Sequence, residues 1–115
     1  MVVLTEGINR LRDLFNTDIF KCQAGTGTTA PTAADTGLET ADATTLLAPT
    51  KQTASANVQV THTIPSTVGS GTTYAEQETQ GNSGSTNYNR LVHTGIAKGA
   101  ADEFIYITNF FFKSV

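Results

Sequence analysis

The chain is 115 residues long, 38% hydrophobic and only 15% charged, with a formal net charge of −3. That length holds one domain with a modest core and leaves little room for a second. Its seven basic residues (Arg10, Arg12, Lys21, Lys51, Arg90, Lys98 and Lys113) form no stripe or cluster, which excludes the electrostatic footprint of a nucleic-acid binder, and the single cysteine, Cys22, excludes an internal disulfide.

Thr, Ser, Gly, Asn and Gln stand where an average soluble domain carries charge. Uncharged polar surface costs little to bury against a partner, whereas an unpaired charge is expensive to bury. The composition therefore suits a protein that lives packed among neighbours.

The N-terminal run Met1 to Leu4 has no basic flank and no small-residue cleavage site, so it does not read as a signal peptide. No apolar run approaches the roughly 18 residues of a membrane helix, and neither membrane nor nucleic acid is expected as a partner. Ile8, Leu11, Leu14 and Phe15 line one face at helical spacing, which predicts an amphipathic helix over about 5–16. Thr5 is placed to cap it, and Glu6 stands near the positive end of its dipole.

Asp18 to Ala24 reads as a first strand with Phe20 and Cys22 on one face and Ile19 and Lys21 on the other. Cys22 is then a small buried residue rather than a reactive thiol. From Gly25 to Asp42 the sequence predicts a long Gly/Thr/Ala loop with little to bury, and such loops in compact domains usually have a task. Thr44 to Leu47 is a short strand closed by Pro49.

Asn57 to Ile64 alternates cleanly, with Val58, Val60, His62 and Ile64 on one face. A turn at Gly69 to Gly71 leads into the polar strand Thr72 to Thr79, anchored only by Tyr74, and Gly81 to Asn87 reads as a flexible link. Tyr88 to Ile96 is a further strand. The last, Glu103 to Phe112, sets Phe104, Tyr106, Thr108, Phe110 and Phe112 against Ile105, Ile107, Asn109 and Phe111. Apolar on both faces, it should be central, or else buried against a partner. The expected architecture is mainly β: an antiparallel β-sandwich or barrel-like sheet of five to six strands, with one short N-terminal helix. Residues 1–115 form a single domain in this reading, with the helix at about 5–16, the loop at 25–42 and the β region at 44–115.

No catalytic constellation emerges. Gly25 to Thr29 lacks the Gly-Lys-Ser/Thr ending of a phosphate loop, and Pro31 stands where the following helix would begin. His62 and His93 have no zinc-binding spacing. The glycine-flanked serines miss the G-x-S-x-G pattern. Glu76 and Glu78 share a strand face, but in so polar a strand they read as solvated. No catalytic residue, metal or cofactor is expected.

Two segments carry a resemblance. Gly7 to Phe15 (GINRLRDLF), with Ala24 to Leu38 (AGTGTTAPTAADTGL), and the ending Asn89 to Phe112 (NRLVHTGIAKGAADEFIYITNFFF) together cover about half the chain. They resemble a family of small structural proteins of tailed bacteriophages and related archaeal viruses. Tyr74 to Thr79 departs from the pattern, being polar where such proteins often carry an apolar strand.

The resemblance implies a non-enzymatic virion component, assembled in the host cytoplasm. A capsid decoration (cement) protein is expected, which assembles with itself as a trimer or ring and binds other virion proteins such as the major capsid protein. The alternative is a tail, baseplate or fibre module that attaches to the host surface, with Tyr74 and Tyr88 available to stack on sugars. Exposure arguments place the interface at Leu11 and Phe15 of the helix, Thr26, Thr28, Thr29, Pro31 and Thr36 of the loop, and Phe110, Phe111 and Phe112 at the C-terminus.

Overall fold

In the computed structural model, which describes residues 4–113 and so leaves Met1 to Val3 of the N-terminal run outside the described residues, the first element is helix α1, Thr5–Asp18. It runs two residues past the predicted end. Leu4, not Thr5, occupies the cap position, and no side chain caps the amides. The helix has no fully buried residue, so packing holds it rather than propensity. Phe15 supplies that packing, with its ring 4.7 Å from Tyr88, 4.8 Å from Phe110 and 5.2 Å from Phe112. Lys51 adds a clasp in the same last turn, donating from Nζ to the Asn16 carbonyl at 2.7 Å where the helix leaves its last carbonyls unpaired.

Seven strands follow among the described residues: β1 (Ile19–Gly25), β2 (Ala41–Leu47), β3 (Thr50–Ala54), β4 (Asn57–Ile64), β5 (Thr73–Gly81), β6 (Thr86–Ala97) and β7 (Phe104–Phe111). They form two antiparallel sheets, ordered β2-β1-β5-β6 and β3-β4-β7. The sheets do not close on one another, which sets aside the barrel-like alternative. The count exceeds the expected five to six because β3, Thr-Lys-Gln-Thr-Ala, is exposed along its whole length. It carries no hydrophobic alternation to read, and its pairing with β4 alone makes it a strand.

Buried side chains from both sheets meet in two clusters. Ile19 and Cys22 of β1 pack with Val58 and Val60 of β4, closed by Phe15, Phe110 and Phe112. Ala24 and Tyr74 pack with Ile64, flanked by Val68, Phe104 and Tyr106. A polar belt of Thr45, His62 and Gln77, all buried, lies among the same strands. His62 Nε2 faces the Thr45 carbonyl at 2.9 Å and must donate to it. Its Nδ1 then accepts from the Gln77 amide at 3.3 Å. Burial lowers the His62 pKa, which keeps the ring neutral.

Three further expectations are corrected. The region read as a flexible link, Gly81 to Asn87, holds a 3-10 turn (Asn82–Gly84) and the start of β6. The loop is shorter at both ends, residues 26–40, because β1 runs through Gly25 and β2 begins at Ala41. The last strand is not central: β7 lies at the edge of its sheet beside β4 alone.

Truncating Phe15 to Ala should cost about 2–3 kcal/mol of stability, since it empties the centre of an aromatic cluster that is half-buried. Leu11 is 54% exposed, and Leu11→Ala should change stability by no more than about 0.5 kcal/mol. Urea unfolding of the two variants measures both.

Candidate functional site

Residues 26–40 do not project from the molecule. They lie as a strap across the face of the β2-β1-β5-β6 sheet that points away from the other sheet, and a carboxylate of β5 pins them there. Along β5, Thr79 lies beside Cys22 and Gln77 reaches His62, so these two point toward the second sheet. The ladder to β6 shifts between Tyr74 and Glu76, and across that irregularity Tyr74 also turns to the second sheet. Glu76 and Glu78 are left on the opposite face, under the strap.

The expectation that these two glutamates are solvated is overturned. Both are buried, as is the whole run from Tyr74 to Thr79. Strands on both sides and the strap above shut water out. Glu76 accepts from the Glu39 amide at 3.1 Å and the Thr40 amide at 2.8 Å, and from Arg90 Nε at 2.9 Å. Burial would raise its carboxyl, but the Thr40 and Glu39 amides and the Arg90 guanidinium outweigh burial and hold it below its ordinary value. Arg90 continues to Asp35 at 3.1 Å.

The strap also binds itself. Glu39 accepts from the Thr28 and Thr29 amides and the Thr29 hydroxyl. Asp35 accepts from the Thr32 amide. Asn87 of β6 donates to the Thr36 carbonyl. These bonds lower Glu39, mainly through Thr29, and Asp35, mainly through the Thr32 amide with Arg90 adding to it. The Gly-Thr-Gly sequence has a steric meaning here: a Cβ on Gly27 would sit 2.6 Å from Glu39 Cβ and 2.7 Å from Glu76 Oε2. The strap approaches the sheet too closely for any side chain at that position.

Glu78 is the counterweight. Its Oε1 accepts from Gln80 at 3.0 Å, while Oε2 is buried without a partner among the described residues. Burial raises its carboxyl, and the neighbouring Glu76 charge adds to the effect.

Other candidate chemistry is spent in packing. Cys22 is buried, and desolvation pushes its thiol up to about 11, so no thiolate is available at neutral pH. His93 faces the Tyr106 hydroxyl at 2.8 Å and does not join His62. Among the described residues no cluster of three or more His, Cys, Asp or Glu is placed to hold a metal.

The opposite side of the fold is open. β6 and β7 each form one edge of their sheet, and the groove between them, about 610 Å3, is lined by Leu91, His93, Ile96, Phe104, Ile105 and Tyr106. Leu91, Ile96 and Ile105 are about half exposed there. On the outer face of β7, Ile107 and Phe111 are exposed at 59% and 69%.

The residues expected at an interface divide accordingly. Leu11 and Phe111 are exposed, as are Thr26, Thr28, Thr29, Pro31 and Thr36 on the outside of the strap. Phe15, Phe110 and Phe112 turn inward against the core cluster and are not a free surface. Alternation along β7 had already separated Phe111 from its two neighbours. Leu91, Ile96, Ile105 and Ile107 were not singled out, because a β-branched or leucine side chain in a strand looks the same whether covered or bare.

No family model, curated protein or solved structure matches the chain.

Two outcomes follow for the strap. Gly27→Ala should lift it, so that limited proteolysis cuts within 28–38 in the variant and spares the wild type. The pH dependence has two opposing parts. Glu76, Asp35 and Glu39 are lowered, so their stabilisation is present above the ordinary carboxylate range and fades as pH falls through their folded values. Glu78 is raised, so its contribution is full at low pH and is lost as pH rises through its folded value. Thermal melts from about pH 4 to about pH 8 should therefore show Glu78→Gln gaining stability over wild type, with a margin that grows toward the higher pH.

Proposed function

We propose that the chain is a non-enzymatic structural protein of a virus particle, of the capsid decoration type, that works by binding copies of itself and neighbouring coat subunits. The observation that carries this reading is the bare apolar face and edge of β7 beside an apolar groove. A monomer gains nothing from leaving Ile105, Ile107 and Phe111 in water, and patches of this kind mark surfaces that meet protein. The low charge content supports it, as does the strap: a Thr-rich surface held in one shape can be buried against a neighbour without ordering cost. The resemblance of the two terminal segments to small phage and archaeal-virus proteins supplies the particle.

We read the two sheets as the layers of an antiparallel sandwich, since Ile19 and Cys22 of one share a core with Val58 and Val60 of the other. The host-attachment alternative has lost its aromatic support. Tyr74 is buried with its hydroxyl on Asp42 at 2.6 Å, and Tyr88 packs on Phe15 and bonds Asp18.

Quantitative mass spectrometry of purified particles of the encoding virus tests the proposal. A near-stoichiometric or simple fractional ratio to the major capsid protein is expected. A few copies per particle would move the chain to the tail or a vertex, and absence would end the reading.

A further inference from the structure

Among the described residues there are four free strand edges, and they differ. β3 has five residues with Lys51 among them. β2 meets β1 through an irregular register. β6 shifts register twice against β5. β7 alone is a regular eight-residue strand without a charge or proline from Phe104 to Phe111, and its register with β4 is unbroken from Asn57↔Phe111 to Ile64↔Phe104. Soluble proteins blunt such edges with lysine, proline or bulges, and this one is not blunted.

The backbone direction of β7 is fixed by one bond. The Phe112 amide donates to the Ala56 carbonyl at 2.7 Å, which continues the unbroken register. In an antiparallel strand alternate residues direct both backbone groups to the same side. Phe104, Tyr106, Thr108 and Phe110 therefore pair with β4, while Ile105, Ile107, Asn109 and Phe111 direct N–H and C=O to the open edge. These four also carry the exposed side chains of the outer face.

We propose that β7 pairs antiparallel with β7 of a second copy of this chain, about a two-fold axis at Thr108, joining the two three-stranded sheets into one of six strands. Three registers bring the edge-directed residues into hydrogen-bonded opposition near the strand centre. The one centred on Thr108 sets Ile107 opposite Asn109 and Ile105 opposite Phe111 of the second copy. It also sets Glu103 opposite Lys113. Those two residues are exposed and flank the uncharged strand, and among the described residues neither has an ion-pair partner within the chain. Shifting the two-fold axis by one residue in either direction moves Lys113 opposite Ala101 or Ile105 and loses the charge match. Opposite charges directly across an antiparallel pair favour the register, and like charges oppose it.

The inference deepens the self-assembly part of the proposed function and replaces a three-fold arrangement with a two-fold one. Its test uses the purified chain alone, so a failure of pairing and an absence from particles are separate results. Analytical ultracentrifugation should find wild type as a dimer. Glu103→Lys and Lys113→Glu should each weaken dimerisation by about tenfold, because each creates two symmetry-related like-charge pairs. The double variant E103K/K113E restores both pairs in reversed polarity and should dimerise as wild type does. A monomeric or trimeric wild type would overturn the proposal. So would single reversals without effect, or a double variant as weak as the singles. Circular dichroism of each variant separates loss of pairing from loss of fold.

Discussion

The Glu76 carboxylate joins the parts of this fold that sequence order keeps far apart. It is buried on a central strand, and its oxygens accept from two amides of the strap and from Arg90 on β6. A buried charge of this kind is tolerated only when its hydrogen-bonding capacity is filled. The strap and β6 fill it together. Arg90 is in turn matched by Asp35 within the strap, so the network closes on itself. Neither the strap conformation nor the depth of β5 is independent of this group: without the strap, Glu76 would face water, and without Glu76, Gly27 would have no reason to lie against the sheet.

The same network accounts for how the chain uses its few charges. Glu76, Glu78, Asp35, Glu39 and Arg90 gather at one face, with the strap drawn over it. The outer face of the three-stranded sheet receives almost none, and its polar groups are amides and hydroxyls such as Asn57, Gln59 and Asn109, which bond one another across the strands. One side of the molecule is thereby closed by internal electrostatics. The other is left with aliphatic side chains and two unpaired sheet edges. Glu78 works against the closed side, since its raised carboxyl favours the neutral form that the remaining anchors do not need.

Parts of this were legible from residue order. The helix, the alternation of Val58, Val60, His62 and Ile64, and the two faces of the last strand follow from period alone, and the structure has them. The burial of Tyr74 to Thr79 was not legible. Period and polarity report what a strand would do in water, and the partner that makes Glu76 buriable lies 14 residues on at Arg90. The glycines of the strap were visible, but their cause, close approach to a carboxylate, requires the tertiary placement of Glu39 and Glu76. β3 was invisible for a simpler reason. It buries nothing, and its existence rests on backbone bonds to β4.

The last strand is where composition and position disagree. Apolar residues on both faces imply cover on both faces, and within one chain that means a central strand. β7 is instead an edge. Its inner side chains, Phe104, Tyr106 and Phe110, have found their cover in the core clusters. Its outer ones have not. A conflict of this sort between a strand's sequence and its place within a chain is resolved if the chain is not the whole unit of folding. A sheet that continues across a neighbour would pair the open edge and give Ile105 and Ile107 cross-strand partners, and a further neighbour over the outer face would supply the cover that edge pairing leaves missing. On that view the edge is a boundary only of the single polypeptide, and the hydrophobic pattern of β7 records neighbours that pair its edge and cover its outer face.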